Sequence, residues 1–283
     1  MGSENVESVM IDENGEPQNK IEVHELGFVK LLDIMGNDEE VENAARLSYG
    51  TGTRKVSQTR NLIRYLMRHK HTSPFEMCEV KFHIKLPIFV MRQLVRHRTA
   101  SLNEYSGRYS IMSNEYYLPE ADYLQKQSKK NNQGREENHP STGLLHYEFN
   151  RVYDNAHIAY ENLLEEDLAR ELSRVVLPVA NYTECIWKID LHNFFHVVHL
   201  RADSHAQREI QDYANAMYEL VKPHFPLCCE AFEDYTVNGE TFSKQEMEII
   251  KDNLNGSWVM SKYGLSERES KEFLEKIRKG DAE

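Results

Sequence analysis

RQLVRHRTASLNEYSGRY, Arg92 to Tyr109, is the stretch on which the reading of this chain turns. It holds Arg92, Arg96, Arg98 and Arg108 together with His97, Ser101, Asn103, Glu104 and Ser106. Guanidinium forks pair bidentately with phosphate oxygens, and hydroxyls and backbone amides fill the remaining acceptor positions. The bland alternative is a solvated helix face with arginines four apart, which is common. SLNEYSGRY is more specific in its polar order than such a face requires, so the stretch reads as a pocket for a phosphorylated ligand. Just upstream, Pro87 suits the first turn of a helix through Ile88, Met91 and Val95, which would carry Arg92 and Arg96. Before that, Cys78–Leu86 (CEVKFHIKL) alternates apolar and polar, the period of a half-buried strand.

The bulk composition makes this positive density local. The chain has 283 residues, with 34 Lys and Arg against 46 Asp and Glu, a formal net charge of −12. A general nucleic-acid coat or a binder of anionic membranes needs net positive surface, so no nucleic acid and no membrane partner is expected. A small anionic ligand held in one basic pocket is compatible with the balance. Hydrophobic residues at 40% and aromatics at 10% suffice for a sizeable core, and no apolar run approaches the ~20 residues that span a bilayer. The opening MGSENVESVMIDENGEPQNK lacks the apolar core of a signal peptide, and Val6 stands where a myristoylation motif wants Ser or Thr. Cys78, Cys185, Cys228 and Cys229 fit no zinc spacing, and the vicinal pair is a poor disulfide framework. Reduced thiols and a cytoplasmic location are the expectation.

Further out, residues 1–20 are polar, acidic and aperiodic, which predicts disorder. Residues 21–33 suggest one or two strands broken at Gly27, and Asn37 caps a helix through Leu47. A helix fits Ser57–His69, with Leu62, Tyr65, Leu66 and Met67 on its apolar side and Arg60, Arg64 and Arg68 on the other. Residues 125–140 read as a mobile surface excursion. Helices are predicted over 143–165 and 167–176, a strand over Val179–Ile189, and a helix over Asp190–Leu200. Ala206, Ile210, Tyr213, Met217 and Leu220 mark a strong amphipathic helix, for which Asp203 or Ser204 is a plausible N-cap. From residue 236 the chain is charged and helical in pattern (Phe242–Leu254, Ser266–Ile277). Strands interleaved with helices predict a mixed α/β protein.

Four other constellations say less on their own. Arg170 and Arg174, one helical turn apart in RELSRVVLP, suit an anion contact or a salt bridge with neighbours such as Glu166. Arg201 precedes a helix start, where it would add charge to an anion-binding dipole or pair with one of the local acids. His192, His196 and His199 share a helical face and could grip a metal, but the companions of the helical zinc motif are missing. HTSPFE (71–76) contains a turn at Ser73-Pro74 and, on its own, nothing more.

Taken together these segments resemble flavin-dependent thymidylate synthase. Arg96-His97-Arg98-Thr99-Ala100-Ser101 matches the family's RHR signature and its following Ser. Asn103 to Tyr109 continues the match, and HTSPFE (71–76), SRVVLP (173–178) and LRADSHAQ (200–207) follow the family's order. The resemblance covers roughly residues 21–232. It implies a catalytic domain over 21–235 between a disordered extension (1–20) and a charged helical one (236–283). It implies a central, mostly antiparallel sheet flanked by helices, and a homotetramer with shared active sites. The implied chemistry converts dUMP to dTMP, with methylenetetrahydrofolate as carbon donor and a hydride from FAD that NADPH reduces. No Gly-x-Gly-x-x-Gly fingerprint appears, so no separate dinucleotide-binding domain is expected.

By position, the dUMP contacts would be Gln93, Leu94, Val95, Arg96, Glu104, Tyr105, Ser106, Gly107, Arg108, Arg174 and Arg201. Arg201 would also be catalytic, stabilising an anionic uracil ring. FAD would meet His71, Ser73, Arg96, His97, Arg98 and Glu104, and Asp190, Leu191, His192 and His196. Some members carry Asn-Ala-Arg and a later Asn where this chain has Asp190-Leu191-His192 and His196. Ser106 stands where a nucleophile was once considered; with no adjacent base in sequence it reads as a hydrogen-bonding residue. Two other readings compete: a metal-dependent nucleotide hydrolase using the histidine face, and a non-enzymatic nucleotide-binding regulatory module.

Overall fold

The computed structural model describes residues 19–48, 59–129 and 134–245, with 247, 250, 267–269 and 271. The first eighteen residues of the predicted disordered segment lie outside these. The chain divides into two compact units, residues 1–237 and 238–283. In the second, residues 244, 245, 247, 250, 267–269 and 271 are helical. The rest of the two helices predicted there lies outside the described residues.

The first unit opens with strands β1 (Lys20–Val23) and β2 (Gly27–Met35). The chain reverses at residues 24–26, before the predicted break, and Gly27 opens β2 opposite Val23; a Cβ there would lie 2.0 Å from the Tyr213 hydroxyl and 2.7 Å from the Val23 carbonyl. Helices α1 (Asp38–Leu47), α2 (Thr59–Arg68) and α3 (Ser73–Glu76) follow. Asn37 caps α1 through hydrogen bonds accepted from the Glu39 and Glu40 amides. Strand β3 (Glu79–Pro87) leads into α4 (Ile88–Leu94) and then β4 (Ala100–Glu104). Next come β5 (Gln125–Gln127), β6 (Arg135–Asn138), α5 (Thr142–Glu165) and α6 (Arg170–Ser173). Strand β7 (Tyr182–Asp190) precedes α7 (Leu191–Arg201), α8 (Arg208–Val221) and α9 (Pro226–Phe232).

Five strands form one sheet in the order β1-β2-β3-β7-β4, each neighbouring pair antiparallel. The fold is therefore mixed α and β around an antiparallel sheet, as the resemblance implies. Strict alternation in β3 explains its central place. Val80, Phe82, Ile84 and Leu86 are buried, whereas Lys81, His83 and Lys85 face the other side and bond Asp33, Glu184 and Glu115. The buried face joins Cys185, Trp187 and Ile189 of β7 and meets the helices. Phe82 stacks on Trp187 at 6.3 Å and lies 5.8 Å from Phe194, while Phe195 stacks on Phe232 at 4.5 Å.

Several local expectations change. Helix α4 ends at Leu94, so Arg96 lies beyond it, in the turn that aims the chain into β4. The side of α2 that carries the arginines is not uniform: Arg60 is exposed and Arg68 half-buried. Arg64 is buried, with its guanidinium held by Glu230, Asp234 and the Tyr235 hydroxyl. The excursion at 125–140 contains the paired strands β5 and β6. The second predicted helix, separate from the first as expected, starts later, at Arg170, because Asp167 takes a left-handed φ of 57°; α6 then passes into a 3-10 turn at Arg174–Val176. Strand β7 begins later than Val179, since Asn181 Nδ2 donates to the Ser113 and Glu115 carbonyls in a connection of its own. Neither Asp203 nor Ser204 caps α8. The Asp203 carboxylate instead accepts from the amide and Nδ1 of His205, and Gln207 occupies the cap position.

Candidate active site

Two groups of the sequence-predicted residues assemble, at opposite ends of β4. The first lies where α4 gives way to β4 and where α7 ends. Arg201, at the end of α7, donates from Nε to His97 Nε2 at 3.0 Å, although 104 positions separate them. That bond requires an unprotonated His97 Nε2. Burial, then Arg201, then His196 hold the His97 imidazole down at about 4, so it is neutral at pH 7. The His196 ring lies 6.0 Å from that of His97. Arg201 is itself held below the usual guanidinium value by burial and then by the charge of Arg96. Two cations thus repel across a neutral imidazole, and no acid pairs with Arg92, Arg96, Arg98 or Arg201 among the described residues. The local-acid explanation of Arg201 does not hold. An anion placed here would lower the electrostatic energy of the site.

Gln93 projects from α4 beside this group, donating from Nε2 to Gln207 Oε1 at 2.8 Å. The Leu94 side chain is in the core, so only its backbone can face a ligand; Val95 is exposed. His71 and Ser73 are exposed at the start of α3, which packs against α7. Asp190 begins α7 as its cap, accepting from the backbone and side-chain nitrogens of Asn193 at 2.9 and 2.7 Å. Leu191 is fully buried. His192 is half-buried, and His196 and His199 are exposed. Among the described residues no three His, Cys, Asp or Glu side chains gather as a metal site would need.

The second group follows β4. Glu104 Oε1 accepts from the Thr183 hydroxyl at 2.9 Å, and the Tyr105 amide donates to the Glu184 carbonyl, which anchors the loop to β7. Gly107 is buried, and a Cβ there would lie 2.8 Å from Met112 Sδ and 3.0 Å from Arg174 Cδ. Glycine thus lets the Arg174 side chain lie along the loop. Arg174 is exposed and has no acid partner among the described residues. Arg108 pairs with Glu171 at 3.0 Å, both exposed. Arg170 donates to the Tyr109 carbonyl at 2.6 Å, and not to Glu166. Ser106 Oγ accepts from the Arg108 amide at 3.3 Å, and no carboxylate or imidazole bonds it among the described residues. Sequence reasoning assigned no role to Gln207, Glu171 or Thr183, which complete these groups. Spacing carries no signal for such distant partners.

Exposed guanidinium forks, hydroxyls and imidazoles at the first group fit a cofactor with a pyrophosphate, such as FAD. Residues 30–227 match the family described as "Thymidylate synthase complementing protein". The flavin-dependent thymidylate synthase of Ehrlichia ruminantium (strain Gardel) is 49% identical over 256 residues, covering 88% of this chain and 85% of its own. That of Treponema denticola is 44% identical over 264 residues, covering 92% and 98%. A solved structure, the UMP/dUMP methylase PolB from Streptomyces cacaoi bound with 5-Br dUMP, superposes with a TM-score of 0.70 at 33% identity, over 76% of this chain and 98% of that one. With its signature arginines gathered at one edge of such a sheet, the chain belongs to the flavin-dependent thymidylate synthase family.

Proposed function

We propose that the two groups bind dUMP and FAD for the family's reaction. In it dUMP is methylated to dTMP, methylenetetrahydrofolate gives the carbon, and NADPH reduces the flavin. The carrying observation is the unneutralised charge of Arg96 and Arg201 held around neutral His97. FAD, when bound and reduced, supplies the hydride. His71, Ser73, Arg96, His97, Arg98, His192 and His196 would hold it, with Glu104 contacting both cofactor and nucleotide. Asp190 acts there through the placement of α7, and Leu191 through its backbone. Arg108 and Arg174 grip the 5′-phosphate, with Ser106, Gly107 and Tyr105 lining it. Gln93, Leu94, Val95 and Arg96 meet the rest of the nucleotide. Arg201, its direction fixed by His97, stabilises negative charge developing on the uracil ring and so raises electron density at the attacking carbon. Ser106 hydrogen-bonds the nucleotide; without a base beside it, its hydroxyl is not activated as a nucleophile.

The site is shared between copies in a homotetramer. The Arg96 and Arg108 groups are separated by β4, five extended residues spanning roughly 16 Å. Leu144, Tyr147, Val152, Ile158, Leu172 and Val175 are all exposed. Exposed apolar side chains on α5, α6 and the turn after it suit contact between copies.

Arg174→Ala should weaken dUMP binding about tenfold to a hundredfold, the range for a charge-assisted hydrogen bond. Arg201→Ala should depress turnover more than nucleotide affinity. Calorimetric titration with dUMP and steady-state rates check both. Unchanged affinity in the first variant, or a normal rate in the second, would remove the proposed role.

A further inference from the structure

Glu209 is a buried carboxylate in the first turn of α8, and three donors converge on it. Its Oε1 accepts from the Tyr117 hydroxyl at 3.1 Å. Its Oε2 accepts from Arg135 Nη2 at 2.5 Å and from Gln207 Nε2 at 2.8 Å. Arg135 sits on β6 and also donates to the Tyr123 carbonyl, so this ion pair ties the β5–β6 hairpin to α8.

The chemistry of these groups fixes a direction of hydrogen bonding that runs toward the nucleotide site. A carboxylate paired with a guanidinium can only accept. Gln207 must therefore turn its NH2 to Glu209, which leaves its Oε1 facing Gln93. Gln93 must then answer with its own NH2, as the 2.8 Å bond from Gln93 Nε2 records. The remaining oxygen, Gln93 Oε1, has no partner among the described residues. A glutamine amide alone could present either end to a ligand; this one cannot without losing either its bond to Gln207 or the bond from Gln207 to Glu209, and leaving two acceptor oxygens face to face.

We propose that Glu209 and Gln207 are positioning residues that lock Gln93 as a hydrogen-bond acceptor toward the nucleotide. At neutral pH dUMP offers two donors, the ring N3–H and the 3′-hydroxyl, and Gln93 takes one of them. This inference rests on the nucleotide reading of the Gln93 segment given above. It adds that the discrimination is set two residues away, by a charge that touches no ligand.

The test uses the full chain loaded with FAD. KM for dUMP and kcat are measured for the wild type, Gln207→Leu, Gln93→Ala, the double variant and Arg174→Ala, with a thermal midpoint for each. Gln207→Leu leaves the Glu209–Arg135–Tyr117 anchor in place, and Gln207→Met serves as a second replacement. The expected result is a rise in KM of roughly threefold to tenfold in either single variant, the range of one neutral hydrogen bond, with kcat within about twofold. The double variant should be no worse than Gln93→Ala, because Gln207 acts only through Gln93. An unchanged KM in Gln207→Leu, or losses that multiply in the double variant, would overturn the proposal. If Arg174→Ala raises KM while Gln93→Ala does not, the nucleotide reading stands and this inference falls. If neither raises it, the nucleotide reading has failed first.

Discussion

His97 shows how a titratable side chain is made into a fixed acceptor. An ordinary histidine takes its proton near pH 6.5. In the fold, burial, Arg201 and His196 delay this to about 4. Between those values the unfolded chain binds more protons than the folded one, so folding stability rises with pH there. His97's contribution is complete above about 6.5 and is lost as pH falls through this window. NMR titration of the labelled imidazole should show His97 still neutral at pH 5, with the Arg201 contact intact; a midpoint near 6.5 would contradict this account. The sequence marked both His97 and Arg201 but could not pair them, because the bond joins the α4–β4 turn to the end of α7. Arg96 and Arg98 were legible for a different reason: arginines with no acid between Arg92 and Arg98 stand out in a chain of net charge −12. Arg174, which follows Glu165, Glu166, Asp167 and Glu171, was marked only by the resemblance. Glu209 and Gln207 were not legible, since a buried acid in an amphipathic helix looks like any polar-face residue until its donors are known.

The elements whose periodicity matched their burial were readable in advance, and those with neither were not. Strand β3 alternates because one face meets the helices, and α8 repeats at three and four residues for the same reason. The β5–β6 pair, QKQ with REEN, has no apolar residue to alternate, so nothing marked it as a hairpin. Helix α4 was extended past Leu94 to Val95 and Arg96 because its end carries no glycine; Val95 closes it with right-handed backbone angles. Asp190 illustrates a residue whose type had two explanations. Its carboxylate is occupied by capping α7, so Asp190→Ala should cost about 1 kcal/mol of stability, whereas Asp190→Ser, a good cap, should cost little. Thermal or urea denaturation of the two variants decides it. Equal losses would mean that the cap is not what the aspartate provides.

On the scale of the molecule, the antiparallel sheet holds β4 at its edge, with the Arg96 group before it and the Arg108–Arg174 group after it. The sequence order of the motifs anticipated the fold through its resemblance to a family. It could not show that these motifs fall into two separate groups on one subunit, because only folding reveals which of them meet. Among the described residues no helix is long and apolar enough to cross a membrane. The chain belongs to a family that makes dTMP with a flavin. The most direct measurement is dTMP formed from dUMP by the purified protein with methylenetetrahydrofolate and NADPH, with FAD supplied and with FAD stripped. Product should require every component, FAD included, and should fall sharply in Arg201→Ala. No dTMP with all components present, or equal dTMP after FAD is removed, would contradict it.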